Sequence, residues 1–114
     1  MYSSELLKGS LQTIILKLLS ENGRMYGYEI TGRVKALSDG EILLTEGALY
    51  PTLHKLEADG LVVTETVSLG KRIRKYYSLT PAGTATATAR VREFLEFVRT
   101  MKIILAAEPG RQPL

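Results

Sequence analysis

Residues 45–79 read TEGALYPTLHKLEADGLVVTETVSLGKRIRKYYSL and hold a capped amphipathic helix followed by a hairpin. Thr45 is placed as an N-cap, Glu46 lies in the first turn where the helix dipole favours negative charge, and Gly60 stands at the terminating C′ position. Leu49, Leu53 and Leu56 recur at helical spacing and form an inward stripe, leaving Gly47, Tyr50, Thr52, His54 and Lys55 for the opposite surface. Pro51 complicates this helix. An internal proline removes one hydrogen bond and crowds the carbonyl four residues back, at about 3 kcal/mol in an ordinary helix. That earlier residue is Gly47, whose missing side chain eases a local kink. Either the helix runs through Pro51, or it starts near Pro51 after an irregular turn over residues 45–50.

Leu61–Val67 and Arg72–Leu79 are rich in β-branched and aromatic residues and read as two strands joined by a turn around Ser68-Leu69-Gly70. In the second strand Ile73, Tyr77 and Leu79 share one face and Arg72, Arg74 and Tyr76 the other. Lys75 interrupts the apolar face, which a long side chain near a hairpin tip tolerates by reaching past the core. Lys71, Arg72, Arg74 and Lys75 fall within five positions, whereas the other eleven basic residues are offset by twelve Asp and Glu. The positive field of this +3 chain is therefore local to the hairpin.

Working outward, Leu7, Leu11, Ile14, Ile15, Leu18 and Leu19 lie at helical spacing behind Ser3 or Ser4 as N-cap, and Asn22-Gly23 ends that first helix. A short second helix aligns Tyr26, Ile30, Val34 and Leu37 before Asp39-Gly40. Ile42, Leu43 and Leu44 are a candidate brief strand, although three apolar residues do not fix a period. Thr80-Pro81 supplies an N-cap and an N1 proline to a long helix carrying Val91, Phe94, Leu95, Val98, Met101 and Leu105 at spacings of three and four. Its Thr84–Ala89 run of small residues permits close helix packing. Residues 108–114 read as a frayed tail.

The 114 residues suit one small core. With no cysteine there is no disulfide, thiol redox chemistry or Cys-ligated zinc, and His54 is the only histidine, so no metal or other cofactor is expected. The acidic Glu5 precedes the first apolar residues and no apolar run approaches the roughly 20 residues of a membrane span, so neither a signal peptide nor a membrane helix is expected and the cytoplasm is the default. An enzyme is not expected either. No Gly-rich phosphate loop with Lys and Ser/Thr, no Cys nucleophile and no second histidine is present.

The order helix, helix, candidate strand, helix, hairpin, long helix describes a mainly α fold with a small β-hairpin (α+β): a winged helix-turn-helix plus a C-terminal helix. At this level the chain resembles the PadR-like transcriptional regulators, in their short form with one C-terminal helix. The resemblance rests on Leu11–Leu19, Tyr26-Gly27-Tyr28-Glu29-Ile30, Glu46–Leu53, Leu56–Leu61 and Arg74–Gly83, together most of residues 6–83. It favours a helix continuing through Pro51. It implies a DNA-binding domain over 1–80, a homodimerisation helix over 81–107 aided by the first helix, and a dimer that usually represses transcription. The independent physical support for a dimer is that a long helix with an apolar stripe needs a partner.

The expected DNA contacts are Tyr26 and Tyr28 to phosphate, Thr45 to phosphate through its hydroxyl, Tyr50, Thr52 and Lys55 to base edges or backbone, and Lys71, Arg72, Arg74 and Lys75 to the backbone or minor groove. Plainer readings stand beside these. Tyr50 also suits packing, Tyr26 and Tyr28 should divide into one core and one surface residue, and one of Tyr76 and Tyr77 should be core. The expected dimer interface is Leu7, Leu11, Val91, Phe94, Leu95, Val98, Met101 and Leu105. Family members respond to phenolic compounds or drugs, so Phe94, Phe97, Val98 and Met101 are candidates for a small hydrophobic or aromatic effector, although such a stripe is more often packing. The chain has no tryptophan to line such a site. The competing functional reading is a winged helix that binds protein without sequence-specific DNA binding. The basic hairpin favours DNA.

Overall fold

The computed structural model describes residues 2–110; residues 111–114 of the expected tail lie outside the described residues. Helix α1 spans Ser4–Asn22, with the Ser3 hydroxyl accepting from Leu6 N–H and Gly23 at φ +72° closing it. A two-residue strand β1, Met25–Tyr26, leads into α2, Gly27–Leu37. Helix α3 covers Glu46–Ala58, strands β2 and β3 cover Val62–Leu69 and Arg72–Leu79, and α4 runs from Pro81 to Ala106.

Helix α3 passes through Pro51, so a start near Pro51 is ruled out. Its first turn forms because Thr45 Oγ1 accepts from Ala48 N–H at 3.2 Å, and Gly60 adopts φ +74° beyond its end. The strand expected at Ile42–Leu44 does not form. That segment has no regular structure, with Ile42 N–H donating to Ser38 Oγ at 3.0 Å. The place it would take belongs to β1: the sheet order is β1-β3-β2, and Met25 and Tyr26 pair antiparallel with Tyr77 and Tyr76. Tyr26 is consequently strand and N-cap rather than a member of the second helix, and Glu29 Oε1 accepts its backbone N–H at 3.1 Å.

The hairpin turn also shifts by a residue or two. Ser68 and Leu69 remain paired, with Ile73 and Arg72, and the turn is Gly70-Lys71 with Gly70 at φ +63°. A two-residue hairpin loop places positive φ where glycine accepts it without strain. Ile73 shares the Tyr77 face as expected but is 76% exposed, because the hairpin tip extends beyond the core. Leu37, aligned with the inward stripe of α2, is also exposed, at the helix end.

The core gathers Leu11, Ile15, Leu16, Leu18 and Leu19 of α1, Ile30 and Val34 of α2, Leu49, Leu53 and Leu56 of α3, and Tyr77 of β3. It runs past residue 80, since Gly83 and Ala87 of α4 are buried. A Cβ at Gly83 would lie 1.9 Å from the Leu61 carbonyl oxygen, so only glycine permits this approach. Thr80 stitches the same junction, its hydroxyl donating to the Gly60 carbonyl at 2.7 Å and its N–H to the Leu61 carbonyl at 3.0 Å. Beyond Val91 α4 leaves the body. Its 26 residues span about 39 Å, and the radius of gyration of 16.8 Å exceeds the roughly 13 Å of a compact chain this size.

Candidate nucleic-acid interface

Two elements frame the interface: α3, held by its leucine stripe, and the β2–β3 wing beside it. The α3 residues opposite Leu49, Leu53 and Leu56 are Gly47, Pro51, His54, Lys55 and Ala58, all exposed. Tyr50 and Thr52 are not on that line. At about 100° per residue they flank the leucine stripe on opposite sides, and both are half-buried. Tyr50 packs its hydroxyl end over Gly27, where an added Cβ would come within 2.4 Å of Oη. The Thr52 hydroxyl donates back to the Ala48 carbonyl at 2.9 Å. The outer face of α3 is therefore narrower than expected, since Tyr50 and Thr52 fall on its flanks. A helical-wheel projection centred on the leucines would have identified Pro51 and given His54 more weight.

Lys55 is exposed but engaged, its Nζ 3.1 Å from Asp59 Oδ1. Thr45 is exposed; its oxygen accepts from Ala48, which leaves the hydroxyl proton free to donate. A groove of about 390 Å³ separates the wing from the start of α2, lined in part by Tyr28, Tyr50, Arg72 and Lys75. Tyr28 is 81% exposed at its edge, whereas Tyr26 is half-buried.

Tyr26 belongs to a stack on the sheet face turned away from the core. Its ring meets Tyr76 edge-on at 5.6 Å, Arg74 lies 4.0 Å above it, and Arg24 lies 4.3 Å above Tyr76 while pairing with Glu65. Arg74 also donates to Tyr76 Oη at 3.5 Å, which with the nearby phenols and Glu29 raises its pKa above the usual arginine value. Arg74 thus holds the wing to β1, and the exposed cations at the tip are Lys71, Arg72 and Lys75. On the other sheet face Lys75 sits 5.6 Å from the ring of Tyr77, the buried member of the Tyr76/Tyr77 pair. Burial raises the Tyr77 pKa, reinforced by Tyr50 and Glu57.

The residues expected between protomers separate into two sets. Leu11 is 4% exposed, so its side chain is spent in the protomer's own core and offers a partner little surface. Leu7, Val91, Phe94 and Met101 are half-buried, and Leu95, Val98 and Leu105 are exposed. Phe94 and Phe97 meet edge-on at 6.2 Å, and Phe97, Val98, Met101 and Leu105 line an open groove of about 450 Å³ along α4. A second cavity, about 490 Å³, lies elsewhere, between α1, residues 41–44 and the first half of α3. Its lining draws on distant segments, including Leu7, Leu43 and Pro51, and no local motif marked it. No helix among the described residues is long and apolar enough to cross a membrane.

Three helices, a small antiparallel sheet and a basic wing beside an outward-facing helix define a winged helix-turn-helix protein of the kind that regulates transcription. The chain belongs to the PadR-like family of transcriptional regulators, whose family model matches residues 15–89. A transcriptional regulator of Mycobacterium tuberculosis is 48% identical over 56 residues, 49% of this chain and 52% of that protein, so the match spans about half of that relative. An uncharacterised protein of Lysinibacillus sphaericus is 34% identical over 84% of this chain and 88% of its own length. Among solved structures, a transcriptional regulator of Clostridium thermocellum superposes with a TM-score of 0.79 at 29% identity, covering 90% of this chain and 96% of that one.

Proposed function

We propose that this protein is a sequence-specific DNA-binding repressor that acts in the cytoplasm as a homodimer on a pseudo-palindromic operator. The observation carrying this reading is the position of α3 beside a wing whose tip bears Lys71, Arg72 and Lys75 in solvent. In this reading residues 1–80 bind DNA and residues 81–107 dimerise. The outer face of α3 enters the major groove, Thr45 and Tyr28 donate to phosphates at its margins, and the wing cations add a sequence-independent term that weakens with salt. Arg74 contributes chiefly by holding the wing against Tyr26.

The dimer is supported by the stripe that begins at buried Ala87 and continues as Val91, Phe94, Val98, Met101 and Leu105 after α4 leaves the body, with Leu105 76% exposed. A small hydrophobic or aromatic effector would seat against Phe94, Phe97, Val98 and Met101 once a second α4 closes the groove. Selection of duplex DNA from a random pool by the purified full chain tests the central claim: a two-fold motif with regular half-site spacing is expected. Replacing Lys71, Arg72, Arg74 and Lys75 together by Gln should weaken binding to all sequences and flatten its salt dependence. Unchanged affinity would overturn the wing's role. Light scattering at micromolar concentration should give a dimer mass, and a strict monomer would overturn that part of the reading. A stable protein partner combined with no enriched DNA would favour an interaction module instead.

A further inference from the structure

The outer line of α3 is chemically uneven. Gly47, Pro51 and Ala58 carry no side-chain donor or acceptor and keep the helix slim enough for a groove wall to approach closely. Lys55 is partly neutralised by Asp59 at 3.1 Å. The polar groups on the flanks are drawn away from this line, Tyr50 over Gly27 and Thr52 onto the Ala48 carbonyl. His54 remains. Its imidazole is exposed, and it has no hydrogen-bond partner among the described residues.

We propose that His54 is the specificity-determining side chain of α3, reading the major-groove edge of a purine in each half-site. The inference rests on the DNA-binding reading above. An imidazole presents at least one ring N–H donor at the end of a short, planar side chain. Both purines present an N7 acceptor in the major groove, and O6 or the N6 amine beside it distinguishes guanine from adenine. Pro51 contributes in another way. Having no N–H, it leaves the Gly47 carbonyl without its usual helical donor, which puts a backbone acceptor on the same helix line roughly two turns before His54.

The test is selection of random duplexes by the wild-type chain, by His54→Ala and by His54→Gln, followed by titration of the selected site with each base pair changed in turn. As His54 is exposed and outside the core, both variants should fold like wild type. The expected result is a loss confined to one base pair, or two adjacent ones, in each half-site. Discrimination there should fall by about 2- to 12-fold in H54A, the worth of one hydrogen bond, with the other positions unchanged. H54Q should restore a preference at the same position, shifted towards adenine, since a Gln amide matches N6 and N7. An unaltered motif in H54A, or uniform weakening across all sequences, would overturn the role of His54 while leaving DNA binding intact. A wild-type chain that enriches no motif would overturn both readings.

Discussion

Gly83→Ala sets two effects of opposite sign against each other. Within a helix, alanine is favoured over glycine by about 0.8–1.0 kcal/mol, so an unobstructed position would be stabilised. Here the new Cβ would sit 1.9 Å from the Leu61 carbonyl oxygen and 2.9 Å from its carbon, and neither atom is the mobile end of a side chain. The first turn of α4 must lift from Gly60-Leu61. That movement strains the Thr80 hydroxyl bond of 2.7 Å and the Thr80 N–H bond of 3.0 Å. Overpacking costs about 1–3 kcal/mol and each of the two weakened hydrogen bonds about 0.5–1.5 kcal/mol, so after the helix gain of about 1 kcal/mol is subtracted the net loss is about 1–5 kcal/mol. For a domain of this size that lowers the Tm by roughly 4–25 °C. Thermal melts followed by circular dichroism read the effect, with Gly32→Ala as control. Gly32 lies inside α2 with nothing within 4 Å of an added Cβ, and its replacement should raise stability by about 0.5–1 kcal/mol. If G83A melts at or above wild type while G32A behaves as expected, the close approach of α4 to the Gly60-Leu61 turn is wrong.

Leu53→Ala, at a fully buried position of α3, should cost about 2–5 kcal/mol in urea unfolding; a loss below 1 kcal/mol would contradict the leucine stripe as the anchor of that helix. Thr45→Ala should lower stability by about 1 kcal/mol, and Thr45→Asp should recover most of it, because the cap depends on an acceptor for Ala48 N–H. Folding raises the Tyr77 pKa, so its contribution is fully present below the unfolded tyrosine value of about 10 and is lost as pH rises through the higher folded value. Urea midpoints measured from pH 8 to 11 should therefore fall less steeply in Tyr77→Phe than in wild type, and identical slopes would remove Tyr77 as the source.

The elements readable from the sequence are those whose signals are local. Ser3, Thr45 and Thr80 cap their helices within three residues of themselves, and the leucines of α1 and α3 repeat on one turn-length scale. β1 was hidden because two residues carry no period, and its existence depends on Tyr76 and Tyr77, some fifty residues away. Ile42–Leu44 looked like a strand by composition, yet the side of β3 opposite β2 is paired with Met25–Tyr26 instead. The site was less legible than the fold for a similar reason. Basic residues at 71–75 mark the wing plainly, but the inward turn of Tyr50 depends on Gly27, and the fastening of Arg74 depends on Tyr26, both contributed by another part of the chain.

Tyr26 pairs in the sheet, precedes the first turn of α2 and carries Arg74 on its ring. A single residue thereby couples the wing to the helix that braces α3, so that in the proposed dimer each protomer would present one stiff reading head rather than separate fingers. In the proposed dimer, a signal carried along α4 would change the distance and tilt between two such heads, not the shape of either. Control would then act as a caliper does, matching or mismatching half-site spacing while each head keeps its grip on its own half-site.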